Sequence, residues 1–315
     1  MSKKPLISIV LPTHNRPELL NEAIESVCRQ TLQDYELIIV DDASDSVVKA
    51  SELKKQFNIS RLKVSRNSVS QGGAESKNIG VSLANGRYIT FLDDDDKLAP
   101  EYLQQAINLL ESEADIELVF MGVAWFGANA LRGENNYNAA ITTIFDIAKP
   151  YYCQNHYYMF EHRLTFALLE AIPMAFQRPV TSLKKFHAVG NYDKDCFLWD
   201  CDWALRASVQ AKCALITEGL YCQRVDNQGY SSANRDLEQI HSAIYFKEKF
   251  YTEIKRTNNK ALQQSVKKVL AKNWFDVAYF VKKDNKAEAL KAWYKSQRYN
   301  LDLKRFKFLF FLVLY

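Results

Sequence analysis

Between residues 6 and 126, short apolar runs alternate with amphipathic ones, and this alternation restricts the fold more than any other feature of the chain. Residues 6–12 (LISIVLP), 35–42 (YELIIVDD), 61–66 (RLKVSR), 87–92 (RYITFL) and 116–126 (IELVFMGVAWF) read as strands, most of them too continuously apolar to leave one face wet. Between them, residues 17–30 place Leu20, Ala23, Ile24 and Val27 on one helical face, with Pro17 in the first turn. Residues 46–57 (SVVKASELKKQF), 74–84 (AESKNIGVSLA, after the Gly72-Gly73 break) and 100–112 (PEYLQQAINLLES) read as further helices. Strand–helix alternation at this spacing predicts an α/β fold: a mostly parallel sheet with helices on both faces.

The polar motifs of this half, THNR, DDAS and DDDD, all fall just after strand ends. In open α/β sheets the ligand crevice lies outside those carboxyl ends. The run Asp93–Asp96 is the most demanding of the three. One or two aspartates could cap the helix that follows, but four adjacent carboxylates repel one another unless a cation neutralises them. Hard oxygen ligands of this type suit Mg or Mn, with phosphates and water completing the shell. Asp41 and Asp42 have two readings: an Asx turn or helix cap, or a hydrogen bond to a base or ribose. Asp200 and Asp202, in WDCDW, likewise read either as helix-start acids favoured by the dipole or as a general base in a partly desolvated site.

The second half is less regular. Residues 127–178 are rich in aromatics (Tyr151, Tyr152, Tyr157, Tyr158, Phe160) without a clean period; packing is the leading use of these rings, and stacking on sugar the other. Residues 172–179 (IPMAFQRP) read as a strand, 189–193 (VGNYD) as a turn, 199–210 as a helix and 214–225 as a strand pair; from Asp236 the chain is helical and lysine-rich. Lys and Arg number 41 against 37 Asp and Glu, a net charge of +4, too mild to imply nucleic-acid binding. The six cysteines form no CxxC pair, and the short apolar run at residues 6–11 fails as a signal peptide, so the expected compartment is a reducing cytoplasm. Residues 305–315 (RFKFLFFLVLY) are far shorter than the roughly 20 residues of a membrane span. They read as a core element or as an interfacial anchor with Lys304, Arg305 and Lys307 at its head, and the anchor is favoured, on the inner face of the plasma membrane.

Taken in order, ISIVLPTHNRPELLNEAIESVCRQT, ELIIVDDASD and SKNIGVSLANGRYITFLDDDD resemble the N-terminal half of a family 2 glycosyltransferase with the Rossmann-like GT-A fold. MAFQRPVTSLKKFHAVGNYDKDCFLWDCDWALRAS resembles the acceptor-side segment of that family, where a Gly-x-(Phe/Tyr)-Asp turn precedes a Glu-Asp-x-Asp helix start. The resemblance implies a GT-A domain over 1–230, with a nucleotide-sugar half (1–125) and an acceptor half (126–230), followed by a helical region at 231–315. It implies that Pro12, Thr13, Asn15, Asp41, Lys77, Asp93 and Asp94 line the nucleotide-sugar site. Asp93, Asp95 and Asp96 would hold Mn or Mg, and Asp200 would be the catalytic base.

Three positions depart from the family pattern. Ala-Arg-Asn is Ser76-Lys77-Asn78, Glu-Asp is Trp199-Asp200, and Arg-x-His is Arg224-Val225-Asp226. The implied activity is inverting transfer of a sugar from a nucleotide diphosphate to the hydroxyl of a saccharide or lipid-linked saccharide, in the assembly of bacterial cell-surface polysaccharide. A nucleotidyltransferase is the competing enzyme class; its glycine-rich phosphate loop is missing from PTHNRPE. A nucleotide-sugar-binding protein with weak or no turnover is the other alternative.

Overall fold

In a computed structural model, which describes residues 4–153, 157–226 and 236–314, the chain forms two units. One comprises Met1–Lys194 with Trp199–Ser232, the other Asp195–Leu198 with Ala233–Tyr315. The boundary expected at 230/231 falls within 227–235, outside the described residues.

The first unit is built on a ten-stranded sheet. Strands β1 (Ile7–Thr13), β2 (Tyr35–Asp41), β3 (Leu62–Arg66) and β4 (Tyr88–Phe91) alternate with helices α1 (Pro17–Cys28), α2 (Ala50–Phe57) and α3 (Gly72–Leu83). They pair in parallel in the order β3-β2-β1-β4. Ile7, Ile9, Val10 and Leu11 of β1 are wholly buried, which is why this strand reads as an unbroken apolar run. Helix α3 crosses β1 so closely that a Cβ on Gly80 would collide with Val10, so glycine is required there.

Beyond β4 the sheet is mixed. After β5 (Lys97–Leu98) and α4 (Tyr102–Ser112) come β6 (Leu118–Phe126), α5 (Ala130–Ala148), β7 (Tyr151–Cys153), β8 (Tyr157–Phe160) and α6 (Arg163–Glu170). β9 (Pro179–Ser182), α7 (Leu183–Val189), α8 (Trp199–Gln210) and β10 (Cys213–Arg224) complete the unit. β9 is antiparallel to both of its neighbours, β4 and β6; β6 and β10 are parallel, and β5 and β8 pair with β10 antiparallel.

Some sequence expectations are corrected. Residues 172–179 are not a strand: a 3-10 turn spans Met174–Gln177 and β9 begins at Pro179. The expected strand pair at 214–225 is the single strand β10, whose register against β6 shifts between Ile216 and Tyr221. Helix α2 starts at Ala50 rather than at residue 46, and α5 lies where no element was anticipated. Tyr157 and Tyr158 serve packing: the Tyr157 hydroxyl donates to Glu113, and the Tyr158 ring lies 4.7 Å from that of Phe145. The side chains of Tyr152 and Cys153 lie outside the description, and none of the other five cysteines is in a disulfide.

The second unit contains helices α9 (Asp236–Ile254), α10 (Lys260–Val281), α11 (Lys286–Tyr299) and α12 (Lys307–Leu314). Glu248 ties three of them, accepting from Trp274 Nε1 and from the Tyr299 hydroxyl. The head of the apolar tail packs on this unit: Phe308 is buried 5.3 Å from the Phe275 ring, and Phe306 lies edge-on to Trp293. Among the described residues no helix is long and apolar enough to cross a membrane.

Candidate active site

The carboxyl ends of β1, β2 and β4 carry the motifs singled out in the sequence. At the end of β1, Pro12 is half-buried and the buried Thr13 donates through Oγ1 to Asp94 at 2.8 Å. Asn15, exposed and in the left-handed region (φ 54), links two loops. Its N–H donates to Ser44 Oγ, and its Oδ1 accepts from the N–H of Asp45.

At the end of β2 the Asx-turn reading of Asp41 is realised. Asp41 is fully buried; Oδ1 accepts from the Ser44 N–H, and Oδ2 from the Val48 N–H and Arg66. Asp42 accepts four hydrogen bonds, from Asn67, Ser70 and the N–H groups of Gln71 and Gly72, and so folds the loop that opens α3. Burial alone pushes both carboxyls up, but these donors outweigh it and hold both below the ordinary carboxylate range.

At the end of β4 the four aspartates alternate. The side chains of Asp93 and Asp95 are 29% and 18% exposed, while those of Asp94 and Asp96 are 9% and 3% exposed. Their repulsion is relieved by three cations of the chain itself. Lys77 Nζ lies 2.5 Å from Asp93 Oδ1, and Arg178 Nη2 lies 3.3 Å from Asp93 Oδ2 and 3.6 Å from Asp96 Oδ2. Arg16 Nη1 bridges Asp94 and Asp95, 3.1 Å from each. Asp96 is held on both oxygens, by the Tyr221 hydroxyl at 2.8 Å and the Arg224 N–H at 2.9 Å. Arg224 also donates through Nε to the Asp95 carbonyl and through Nη2 to Glu22, so β10 clamps the acidic loop.

The charge states differ accordingly. Burial raises Asp93, but Lys77 and Arg178 outweigh it and bring it down to about 2. Burial, with the neighbouring carboxylates, pushes Asp94 up to about 6 and Asp96 up to about 7, and raises Asp95 as well.

Asp200 and Lys77 enter from helices. Asp200 lies in the first turn of α8, partly buried, and accepts only the Cys201 N–H at 2.8 Å among the described residues. Burial raises its proton affinity, while Arg178 and Lys77 pull the other way and Asp93 adds to the rise. Asp200 thus responds to the same charges, Arg178 and Lys77, that hold Asp93. Asp202 is structural instead: it pairs with Arg206, which donates to the carbonyls of Val189 and Asn191 at the turn around Gly190 (φ 95). Lys77 is buried with its Nζ 4.5 Å above the Trp199 ring, so the tryptophan at the first departure in the acceptor segment seats the lysine. Asp226, at the third departure, faces Arg224 at 3.8 Å.

The family model of Glycosyl transferase family 2 matches residues 8–162. Those residues belong to glycosyl transferase family 2. Among similar proteins, the GalNAc(5)-diNAcBac-PP-undecaprenol beta-1,3-glucosyltransferase of Campylobacter jejuni is 36% identical over 132 residues, 38% of this chain and 43% of that protein. The chain spans less than half the length of the curated relatives it matches. Two solved structures share the fold. Staphylococcus aureus TarS 1-349 in complex with UDP-GlcNAc has a TM-score of 0.62 at 15% identity, covering 92% of this chain and 79% of that one. The mannosyltransferase PcManGT from Pyrobaculum calidifontis, in complex with GDP-Man and Mn2+, has a TM-score of 0.57 at 12% identity, covering 99% and 85%. The first unit therefore has the GT-A fold expected from the sequence.

The β4 acids fit a hard divalent cation by donor chemistry, since carboxylate oxygens are the donors that Mg and Mn prefer, but among the described residues no three acids converge on one cation position. They fit it unequally. Asp95 meets one side-chain cation, Arg16, among the described residues, whereas Asp93 and Asp96 are each already engaged by Arg178. Arg16, Arg178, Tyr221 and Arg224 were not assigned from the sequence. Arg16 stood in view inside THNR, while Arg178 fell within the stretch 172–179 read as a strand.

Proposed function

We infer that the chain is an inverting glycosyltransferase. It moves a sugar from a nucleoside-diphosphate sugar to a hydroxyl of a saccharide or lipid-linked saccharide acceptor, in the assembly of a bacterial cell-surface polysaccharide. The observation that carries this reading is Asp200. At the start of α8 its carboxylate accepts, among the described residues, only the Cys201 N–H, it feels the same Arg178 and Lys77 charges as Asp93, and burial raises its affinity for a proton.

Thr13, Asn15 and Pro12 form one wall of the donor site, and Asp41 supports that wall by fixing the loop that Asn15 joins. Lys77 supplies positive charge to the diphosphate, with Asp93 and Asp94 beside it. Asp93, Asp95 and Asp96 are the residues that would hold Mn or Mg, which when bound supplies a positive charge for the departing diphosphate. Asp200 takes the proton of the acceptor hydroxyl as its oxygen bonds to the anomeric carbon, while the bond from that carbon to the diphosphate oxygen breaks on the opposite face. A single in-line displacement inverts the anomeric centre, as in inverting glycoside hydrolysis. The undecaprenol-linked acceptor named for the Campylobacter relative and the apolar tail at α12 both favour a lipid-linked acceptor. They also favour a cytoplasmic enzyme with a peripheral contact on the inner face of the plasma membrane.

The test is release of nucleoside diphosphate from UDP-glucose, UDP-GlcNAc and GDP-mannose with manganese and lipid-linked acceptors. Asp200→Asn is expected to lower kcat by at least about 100-fold with the donor KM nearly unchanged. Near-normal turnover in Asp200→Asn removes Asp200 as the base. Formation of nucleoside triphosphate and sugar 1-phosphate from nucleotide sugar and pyrophosphate, with no nucleoside diphosphate released to any acceptor, removes the transferase reading.

A further inference from the structure

Two of the three departures from the family pattern, at positions 77 and 199, are far apart in the chain and meet in the fold. Lys77 lies midway along α3, and Trp199 opens α8. The Lys77 side chain is 3% exposed, so its ammonium depends on what the chain provides. Nζ lies 2.5 Å from Asp93 Oδ1, 4.5 Å from the centre of the Trp199 ring and 5.8 Å from that of Phe91. The Trp199 ring is itself fixed. It stands edge-on to Tyr192 at 4.8 Å, and a Cβ on Gly73, in the first turn of α3, would touch it at 3.8 Å.

Each residue of this contact suits the other. Asp93 offers Lys77 one oxygen, because Arg178 faces the second. A lysine brings one compact charge, which a single oxygen and a ring face accommodate, and tryptophan is the best of the aromatic faces for it. An arginine carries a planar fork suited to two acceptors side by side. Among the described residues Asp93 is the one carboxylate within ion-pair distance of Lys77. A glutamate at 199 would face position 77 and offer the fork its second acceptor. It would also set a further negative charge beside Asp200, in a site meant for a diphosphate of the same sign. The ring holds the ammonium and adds no charge of its own.

We propose that Lys77 and Trp199 are one matched exchange, in which Trp199 is a positioning residue that holds the Lys77 ammonium for the diphosphate of the donor. The inference rests on the donor-site reading of Lys77 and deepens it. Each half of the exchange works only with the other half present, and the coupling between them is what the ring contact predicts.

The test measures UDP and GDP binding to the full chain with manganese, by isothermal titration calorimetry. Lys77→Arg and Trp199→Glu are each expected to weaken binding at least about fivefold, and the double variant to return to within about threefold of wild type. Trp199→Phe, which keeps a ring, is expected to stay within about threefold of wild type, and Trp199→Leu to lose at least about fivefold. This second pair carries the reading if Trp199→Glu does not fold. With Lys77→Met already in place, Trp199→Leu is expected to add no further loss, whereas a ring that only packs the site adds the same loss in both backgrounds. The inference is overturned if the losses from Lys77→Arg and Trp199→Glu multiply in the double variant. It is equally overturned if Trp199→Leu binds as tightly as Trp199→Phe, or if its loss persists undiminished in Lys77→Met. Each of these results leaves the donor site standing. Wild type that binds neither UDP nor GDP instead overturns the donor-site reading, and the inference with it.

Discussion

Two acidic runs leave the same sheet at the same end and meet opposite fates. At β2, Asp41 and Asp42 are saturated: besides Asn67 and Arg66 they accept from Ser44 and Val48 on their own loop and from Ser70, Gln71 and Gly72 on the loop before α3. At β4, Asp93–Asp96 meet cations instead, and three of the four are left with raised proton affinity. A carboxylate whose charge is satisfied by fixed donors shapes the scaffold and has little left for a ligand. One held charged in a buried cluster at a cost in stability is available to a cation or phosphate. The comparison assigns construction to the β2 run and, on the proposed function, chemistry to the β4 run.

Breaking the chemical side gives the largest effect. Asp95 is the β4 acid with one cation partner and partial exposure, so Asp95→Ala is expected to lower manganese-supported transfer at least about 100-fold while the unfolding midpoint changes little. Titrating UDP binding with and without manganese checks it: the variant should lose the metal's contribution. An Asp95→Ala protein that transfers normally places the metal elsewhere. Breaking the constructional side gives the converse. Asp42→Ala strands four donors, three of them on the loop before α3, and is expected to destabilise the fold by about 3 kcal/mol. Urea unfolding measures this, and a loss under about 1 kcal/mol means the loop re-pairs its donors with water.

What the sequence disclosed and what it concealed divide along the same line. The four parallel strands were legible because burial on both faces writes an unbroken apolar run, as in Ile7–Leu11. Helix α5 was not, because only Ile144 and Ala148 of its 19 residues are buried, so no apolar stripe marks it. Residues 172–179 misled for a related reason: Ala175 and Phe176 are both buried in a 3-10 turn, and two consecutive apolar residues imitate a strand. The β4 acids were singled out because strand-end carboxylates stand out locally. Arg178 was missed because a lone arginine beside a proline carries no local signal; its partners lie far earlier in the chain and only the antiparallel return of β9 brings them together. The same holds for Tyr221 and Arg224, which reach the acids from β10.

The smallest expected effect is also the sharpest test of the contrast. Asp94 is buried, with its proton affinity raised to about 6 from 3.8, chiefly by burial and then against the pull of Thr13 and Arg16. For a carboxyl whose folded value lies above its unfolded one, the native state binds more protons between the two values. Stability is therefore present at low pH and is lost as pH rises from about 4 through about 6. Asp94→Asn removes the ionisation while keeping an oxygen for the Thr13 hydroxyl, and surrenders the half-exposed Arg16 pair. The variant should match wild type near pH 4.5 and exceed it at pH 8 by about 1 kcal/mol, roughly 2 °C in the unfolding midpoint. The control is Asp41→Asn, where the folded value is lowered and the sign reverses: stability is present above the unfolded value, so that variant should lose most at pH 8. If both asparagine variants shift in the same direction at pH 8, charge is not what separates the two acidic runs, and the division between scaffold and site fails at its simplest point.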